Sequence, residues 1–293
     1  MNYYNEIKEQ IINNEVTKKA KDYSKNRSDL TTYYNIGKLL AEAGKHYGEG
    51  IIKEYSIKLT NEFGKGYSTR SLKYMRKYFL LQKGQPVAAQ MTWSHYIEIL
   101  KIDDINEINY YITQTMSLNL SRNELREKIR NKEYERLPNE TKLKLINKDE
   151  PTVEDFVKNP ILIKNNHNYE VISEKALQKL ILEDIPSFLK ELGNGFTFIE
   201  NEYKIKLGDT YNYLDILLFN IEFNCYVVVE LKITRLKKEH FGQIKLYMNY
   251  IDENLKKINH DKTIGLIVCK KNNEYIIRYS SDKRIVAKEY ELV

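Results

Sequence analysis

Two short apolar runs in the second half of the chain constrain its fold more than any other feature. Tyr213-Leu214-Asp215-Ile216-Leu217-Leu218 and Cys225 to Leu231, with Val227-Val228-Val229 at its centre, are brief, rich in branched residues and almost continuously apolar. That is the pattern of buried strands. Phe196 to Ile199, Tyr203 to Leu207 and Tyr211 to Phe219 also read as strands. Before them, Ser173 to Leu192 reads as one long helix carrying Leu177, Leu180, Ile181, Ile185, Phe188 and Leu192, and it stops at Gly193-Asn194-Gly195. After them, Leu236 to Leu255 reads as a helix with Phe241, Ile244, Met248, Ile251 and Leu255 on one face, and Thr263 to Cys269 and Tyr275 to Tyr279 return to strand. Helix, three or four strands, helix, strand, strand specifies a mixed α/β domain rather than a barrel or a repeat array.

The first half reads as helices throughout, so the chain as a whole is of α+β type. Tyr3 to Lys25, Leu30 to Ala43 and Glu49 to Phe63 each carry apolar residues at helical spacing, the third ending at Gly64-Lys65-Gly66. Ser68 can cap the next helix, whose buried stripe is Leu72, Met75 and Phe79. Arg70, Lys73 and Lys77 repeat that spacing two residues earlier, and two positions turn a helix by about 200°. These cations therefore occupy the opposite face, flanked by Thr69 and Arg76. Helix, glycine turn and capped helix with a basic outer face is how a helix-turn-helix meets DNA, although any exposed helix face tends to be charged. Gln82 to Met91 reads as a loop or wing, Trp93 as a core anchor and His95 as a structural histidine. Ser121-Arg122-Asn123-Glu124 fits a capping box for a helix to about Glu133. Periodicity is lost from 134 to 172, where Pro138, Pro151 and Pro160 mark a connection. The expected domains are 1–136, helical, and 173–293, α/β, with 137–172 as linker.

A length of 293 residues allows about two domains, and 42% hydrophobic with 30% charged residues excludes disordered and low-complexity classes. No run approaches the roughly 18 apolar residues of a membrane span, and the start lacks a signal-peptide core, so a soluble, cytoplasmic protein is expected. Cys225 and Cys269 lie far apart in apolar runs and read as small core residues, not as a disulfide or zinc site. Residues 1–136 hold 23 Lys and Arg against 17 Asp and Glu, whereas 137–293 hold 24 of each. The excess positive charge thus lies in the helical half, as a polyanion partner would require, or as a Lys-rich codon bias would produce.

The chemistry is concentrated in the two apolar strands. A carboxylate such as Asp215 inside an apolar strand is costly unless ionic partners compensate it, and Glu230 ends the next strand in Val228-Val229-Glu230-Leu231-Lys232. Two carboxylates on adjacent strands invite a metal, and hard oxygen ligands suit magnesium or manganese. Strand alternation aims Glu230 and Lys232 at one face of the sheet. The metal would activate a water on a phosphodiester, with Lys232 stabilising the transition state or orienting that water. Gln243 and Tyr247 lie one helical turn apart, able to hold a metal water or touch a nucleic-acid backbone. A structural pairing of Asp215 or Glu230 with Lys232 is the plainer alternative.

Asp215 followed by Glu230-Leu231-Lys232 resembles the PD-(D/E)xK nuclease signature, and Gln243-Ile244-Lys245-Leu246-Tyr247 resembles the Gln-x-x-x-Tyr motif of RecB-like members. The whole chain is similar to the YhcG family, which joins a helical N-terminal domain to such a nuclease domain. The N-terminal resemblance rests on Tyr34-Asn35-Ile36-Gly37-Lys38, Phe63-Gly64-Lys65-Gly66-Tyr67-Ser68, Leu72-Lys73-Tyr74-Met75-Arg76, Thr92-Trp93-Ser94-His95-Tyr96 and Tyr134-Glu135-Arg136. The C-terminal one rests on Phe188 to Gly193, Gly195-Phe196, Asp215 to Phe219, Glu230-Leu231-Lys232, Gly242-Gln243 and Ile264 to Lys270. The resemblance implies a restriction-endonuclease-like domain of αβββαβ order and a magnesium-dependent nuclease. In it Asp215 and Glu230 are metal ligands and Lys232 is the catalytic lysine. It also implies a further acid on the preceding helix, for which Glu174 is the choice and Glu183 and Glu191 the rivals. Leu214 stands where the family's usual proline precedes the first aspartate.

The expectation is a DNA endonuclease, with manganese able to replace magnesium, whose helical domain docks on duplex through Thr69, Arg70, Lys73, Arg76 and Lys77. By analogy with two-strand cleavage it is a homodimer. The rivals are a non-catalytic DNA-binding or interaction protein, and a nuclease acting on RNA or branched DNA.

Overall fold

The computed structural model describes residues 3–20, 25–82, 91–150, 152, 155, 157–170, 172–278 and 282–293. They form two compact units, Met1–Tyr134 and Glu135–Val293. The first holds α1 (Tyr3–Ala20), α2 (Lys25–Tyr47), α3 (Ile51–Phe63), a 3-10 turn (Lys65–Tyr67), α4 (Thr69–Gln82), α5 (Trp93–Ile99), α6 (Ile105–Ser117) and α7 (Arg122–Arg130). Ile7, Ile36, Leu40, Ile52, Leu59, Leu72 and Met75 build one core from α1 to α4. At Gly37, α2 crosses α4 so closely that a Cβ would stand 2.1 Å from the Met75 carbonyl oxygen.

Ser68 caps α4 as expected, its Oγ accepting from the Ser71 amide at 3.3 Å. The buried stripe of α4 differs at its third position: Tyr78 is fully enclosed, whereas Phe79 is half-buried with its ring 5.2 Å from that of Tyr34. Tyr78 follows Leu72 and Met75 at successive three-residue steps, which keeps it on the side facing α5, where Tyr96 packs on it. Trp93 is an anchor, 4.6 Å from Tyr33 and 5.6 Å from Tyr78 between ring centroids. His95 is structural, its Nδ1 accepting from the Thr92 amide at 3.0 Å. The capping box at Ser121 and Glu124 is present, and α7 stops at Arg130, short of Glu133. Most of the expected loop or wing, residues 83–90, lies outside the described residues.

The second unit comprises α8 (Asn139–Asn147), β1 (Ile161–Ile163), α9 (Glu174–Glu183), α10 (Ile185–Leu192), β2 (Phe196–Leu207), β3 (Thr210–Asn220), β4 (Cys225–Arg235), α11 (Lys238–Asn254), β5 (Ile264–Lys271), α12 (Glu274–Arg278) and β6 (Ile285–Leu292). The sheet runs β1-β6-β5-β4-β3-β2. β2, β3 and β4 pair antiparallel, and β4, β5, β6 and β1 pair parallel. Helices α9 and α10 cover one face, with Leu177, Ile181 and Phe188 against Ile216, Leu218, Val227 and Val229. Helix α11 covers the other, with Ile244, Met248 and Ile251 against Leu217, Val228 and Ile267. A strand buried on both faces has no wet side, which is why Val227-Val228-Val229 is continuous. Gly265 lets α11 lie close, since a Cβ there would meet Met248 Sδ at 2.6 Å.

Several expectations are corrected. The long helix at 173–192 breaks at Asp184 (φ −135°, ψ 54°), whose carboxylate caps α10 by accepting from the Ser187 amide at 3.2 Å. Pro186 sits in the first turn of α10, where its missing N–H costs nothing, whereas within an unbroken helix it would remove a bond. The runs 196–199 and 203–207 form one strand with an irregularity between Phe198 and Glu200. Residues 274–278 are a short helix rather than a strand, and Tyr279 lies outside the described residues. The last strand is β6, whose Lys288, Glu289 and Glu291 dilute its apolar pattern. The 137–172 connection belongs to the second unit: it contributes β1 to the sheet edge, and Lys158 Nζ donates to the Lys190 carbonyl at 2.8 Å. Cys225 and Cys269 are free and buried. Among the described residues no helix is long and apolar enough to cross a membrane.

Candidate active site

The site forms where β3 parts from β4. Their ladder is registered from Asn220↔Cys225 to Ile216↔Val229, while β4 stays paired with β5 through Glu230, Leu231 and Lys232. Beyond Val229 the Asp215 side chain takes over, its Oδ2 accepting the Leu231 amide at 2.7 Å. On the other side, β2 and β3 are registered at Asn201↔Ile216 and Tyr203↔Leu214, flanking a left-handed Glu202 (φ 50°) opposite Asp215. The Asp215 carbonyl accepts instead from Gln178 Nε2 of α9, at 2.9 Å. Asp215 is thereby held through its backbone and through its carboxylate.

Glu230 is 2% exposed, and its Oε1 is buried without a hydrogen-bond partner among the described residues. Its Oε2 lies 3.3 Å from Lys232 Nζ, which is 3.6 Å from Glu174 Oε2. Burial, then the charge of Asp215, pushes the Glu230 carboxyl up to about 8. Burial also raises Asp215, against the pull of the Leu231 amide and Lys232. For Lys232, burial acts downward, but Glu230, Glu174 and Asp215 together hold the ammonium above its ordinary value. The result is a charged lysine beside two carboxylates that are short of positive charge.

The candidate helix acids separate cleanly. Glu174 opens α9, capped by Ser173, and reaches Lys232. Glu183 pairs with His167 at 2.8 Å, and Glu191 is sealed in a buried network with Arg136 at 2.5 Å and the Leu162 amide at 3.0 Å. Gln243 is half-buried and donates to Tyr247 Oη at 3.2 Å, and Tyr247 packs into the core under α11. On α4, Arg70 and Lys73 are exposed, with Arg70 bonded to Tyr74. Thr69 is half-buried, Arg76 is paired with Glu49 at 2.6 Å, and Lys77 donates to Asp103 at 2.8 Å and to the Ile102 carbonyl at 2.7 Å.

Two residues of the neighbourhood escape the sequence reading. Gln178 is a polar residue on the buried face of α9, and that misplaced polarity is its one signal. His240 precedes Gln243 and Tyr247 on α11 at helical spacing. Its Nδ1 accepts from the Lys237 amide at 3.3 Å, and burial, then Lys232, lowers its pKa while Glu174 opposes them.

Residues 154–293 match the family model described as the YhcG PDDEXK nuclease domain, and residues 4–136 match the one described as the DUF1016 N-terminal domain. YhcG of Escherichia coli (strain K12) is 21% identical over 309 residues, covering 89% of this chain and 82% of that protein. Among solved structures, the chain is similar to a repair endonuclease from Pyrococcus abyssi, at 22% identity and a TM-score of 0.30 over 43% of this chain. It is also similar to EndoMS in a complex with double-stranded DNA, at 20% identity and a TM-score of 0.31 over 44% of this chain. The match spans 49% and 48% of those two chains, about half of each.

Proposed function

From a chain that carries a YhcG PDDEXK nuclease domain behind a DUF1016 N-terminal domain, we propose a metal-dependent DNA endonuclease whose helical unit binds the duplex. The observation that carries the reading is the pair Asp215 and Glu230: a half-buried and a buried carboxylate at a strand divergence, both pushed toward protonation by desolvation, the buried one with an orphaned oxygen. Buried like charges of this kind are costly unless a cation joins them. Two hard carboxylate donors suit magnesium, which keeps several waters and takes one or two carboxylates, with manganese able to replace it. Asp215 and Glu230 would hold the ion, which when bound supplies an activated water and charge neutralisation at the phosphodiester. Lys232, kept charged by its three acidic neighbours, stabilises negative charge at the scissile phosphate. Glu174, half-exposed beside Lys232, orients that ammonium. Gln243 and Tyr247, bonded to each other, present an amide to the backbone of the bound strand. In the helical unit, Arg70 and Lys73 contact phosphates, flanked by Thr69 and by Arg76 and Lys77 in their ion pairs.

The test is cleavage of supercoiled plasmid, linear duplex, branched DNA and RNA by the parent and by Asp215→Ala, in magnesium, manganese and EDTA. The expected result is DNA cleavage that requires both the metal and Asp215. Linear product rather than nicked circles would indicate two active sites acting together, as in a homodimer. Cleavage that survives Asp215→Ala overturns the site, and metal-dependent cleavage of RNA alone overturns the substrate.

A further inference from the structure

We infer that a cationic cluster built on Glu98 is a second phosphate-backbone contact of the helical unit, separate from the face of α4; the inference rests on the reading of that unit as DNA-binding. Glu98 of α5 is 2% exposed, yet three cations converge on its carboxylate. Arg122 donates to Oε1 through Nε at 2.9 Å and Nη2 at 2.7 Å, and Arg126, one turn later on α7, through Nε at 3.3 Å and Nη2 at 2.9 Å. Lys101 pairs with Oε2. Burial alone would raise the Glu98 pKa, but the three donors outweigh it and hold the carboxyl down at about 2.

Charge counting separates this cluster from an ordinary ion pair. One carboxylate neutralises one of three cations, leaving a local excess of two positive charges. The cations are not enclosed: Arg122 is 44%, Arg126 48% and Lys101 45% exposed at the side chain, and neither arginine uses Nη1 in these bonds. The buried acid thus fixes two guanidinium forks on one helix face with their outer edges toward solvent. Ordering long side chains ahead of binding removes part of the entropic cost of contacting a polyanion, and guanidinium forks match phosphate oxygens. The cluster lies beside the α4 face, because Lys77 bonds to Ile102 and Asp103, the residues that follow Lys101. On α4 itself Arg76 and Lys77 are each opposed by an acid, which leaves Arg70 and Lys73 as its exposed cations, so the excess around Glu98 equals that of α4 and adds a second site to it. The occupant these features fit is the backbone of duplex DNA, read through charge rather than base edges.

The experiment measures fluorescence anisotropy of a labelled duplex against the full chain carrying Asp215→Ala, with and without Arg122→Gln plus Arg126→Gln, at rising potassium chloride. Glutamine keeps an amide donor for Glu98, Lys101 still neutralises it, and the cluster falls to zero net charge. The salt slope of log affinity should fall by about two, equivalent to about 60-fold weaker binding at 0.1 M salt. The single change Arg126→Gln, which leaves two cations on Glu98, should lower the slope by about one. Thermal melting of each variant reports folding, and the single variant decides the matter if the double one unfolds. An unchanged slope in a folded variant overturns this contact while leaving the α4 reading intact. Absence of duplex binding by the unsubstituted arginine form overturns both, and metal-dependent cleavage by the native Asp215 chain reports separately on the nuclease site.

Discussion

Replacing Glu230 with glutamine should stabilise the metal-free protein while destroying its activity. The folded carboxyl titrates at about 8 against an ordinary 4.5, so between those values the folded state holds a proton that the unfolded state has lost. Stability therefore falls as pH rises through that window, and the loss is complete above the folded value. A difference of this size corresponds to about 3 kcal/mol at pH 7 and about 5 kcal/mol well above pH 8. The value of about 8 already contains the pull of Lys232, so glutamine, neutral at every pH, should recover up to about 5 kcal/mol at alkaline pH. For a unit of this size that raises the melting temperature by roughly 10–20 °C. The assay is calorimetric melting in EDTA at mildly acidic and mildly alkaline pH. Parent and variant should coincide at acid pH, where both side chains are neutral, and diverge as pH rises. Magnesium should then raise the alkaline melting temperature of the parent and leave that of Glu230→Gln unchanged. A variant that melts below the parent in alkaline EDTA would refute the reasoning, because Glu230 would then be a satisfied structural charge.

Other perturbations address separate links in the argument. Gln178→Ala frees the Asp215 carbonyl without touching either carboxylate, so calorimetry should show manganese binding weakened about tenfold in a protein that remains folded; equal affinity would make Gln178 a packing residue. Gly37→Ala pushes a methyl group into the Met75 backbone and should cost about 2 kcal/mol or more in the helical unit, read as a lower denaturant midpoint with nuclease chemistry on a small phosphodiester retained. Glu98→Gln should reduce the acid sensitivity of the helical unit: a carboxyl held at about 2 contributes stability above its unfolded value and loses it as pH falls toward 2. A parent and variant with identical acid melts would show that the three cations do not stabilise Glu98.

Sequence alone determined what depends on neighbours along the chain. Ser68 and the Ser121–Glu124 pair cap helices because capping involves amides two or three residues away, and Val227-Val228-Val229 reads as buried because a strand covered on both faces has no polar alternation to show. Asp215, Glu230 and Lys232 stood out for a similar reason, since charges inside apolar strands are locally anomalous. Tertiary structure decided what depends on long-range pairing. β6 became a strand despite its charges because β5 and β1 hydrogen-bond to it on either side, and the helix at 173–192 broke where Asp184 and Pro186 could turn α10 along the sheet. Glu174, Glu183 and Glu191 are alike in sequence, and only the register of α9 and α10 against the strands puts Glu174 beside Lys232 and Glu191 against Arg136. Arg76, Lys77, Arg122 and Arg126 are alike too, and what sets them apart is the acid that each meets across the fold, a matter of packing that no periodicity encodes.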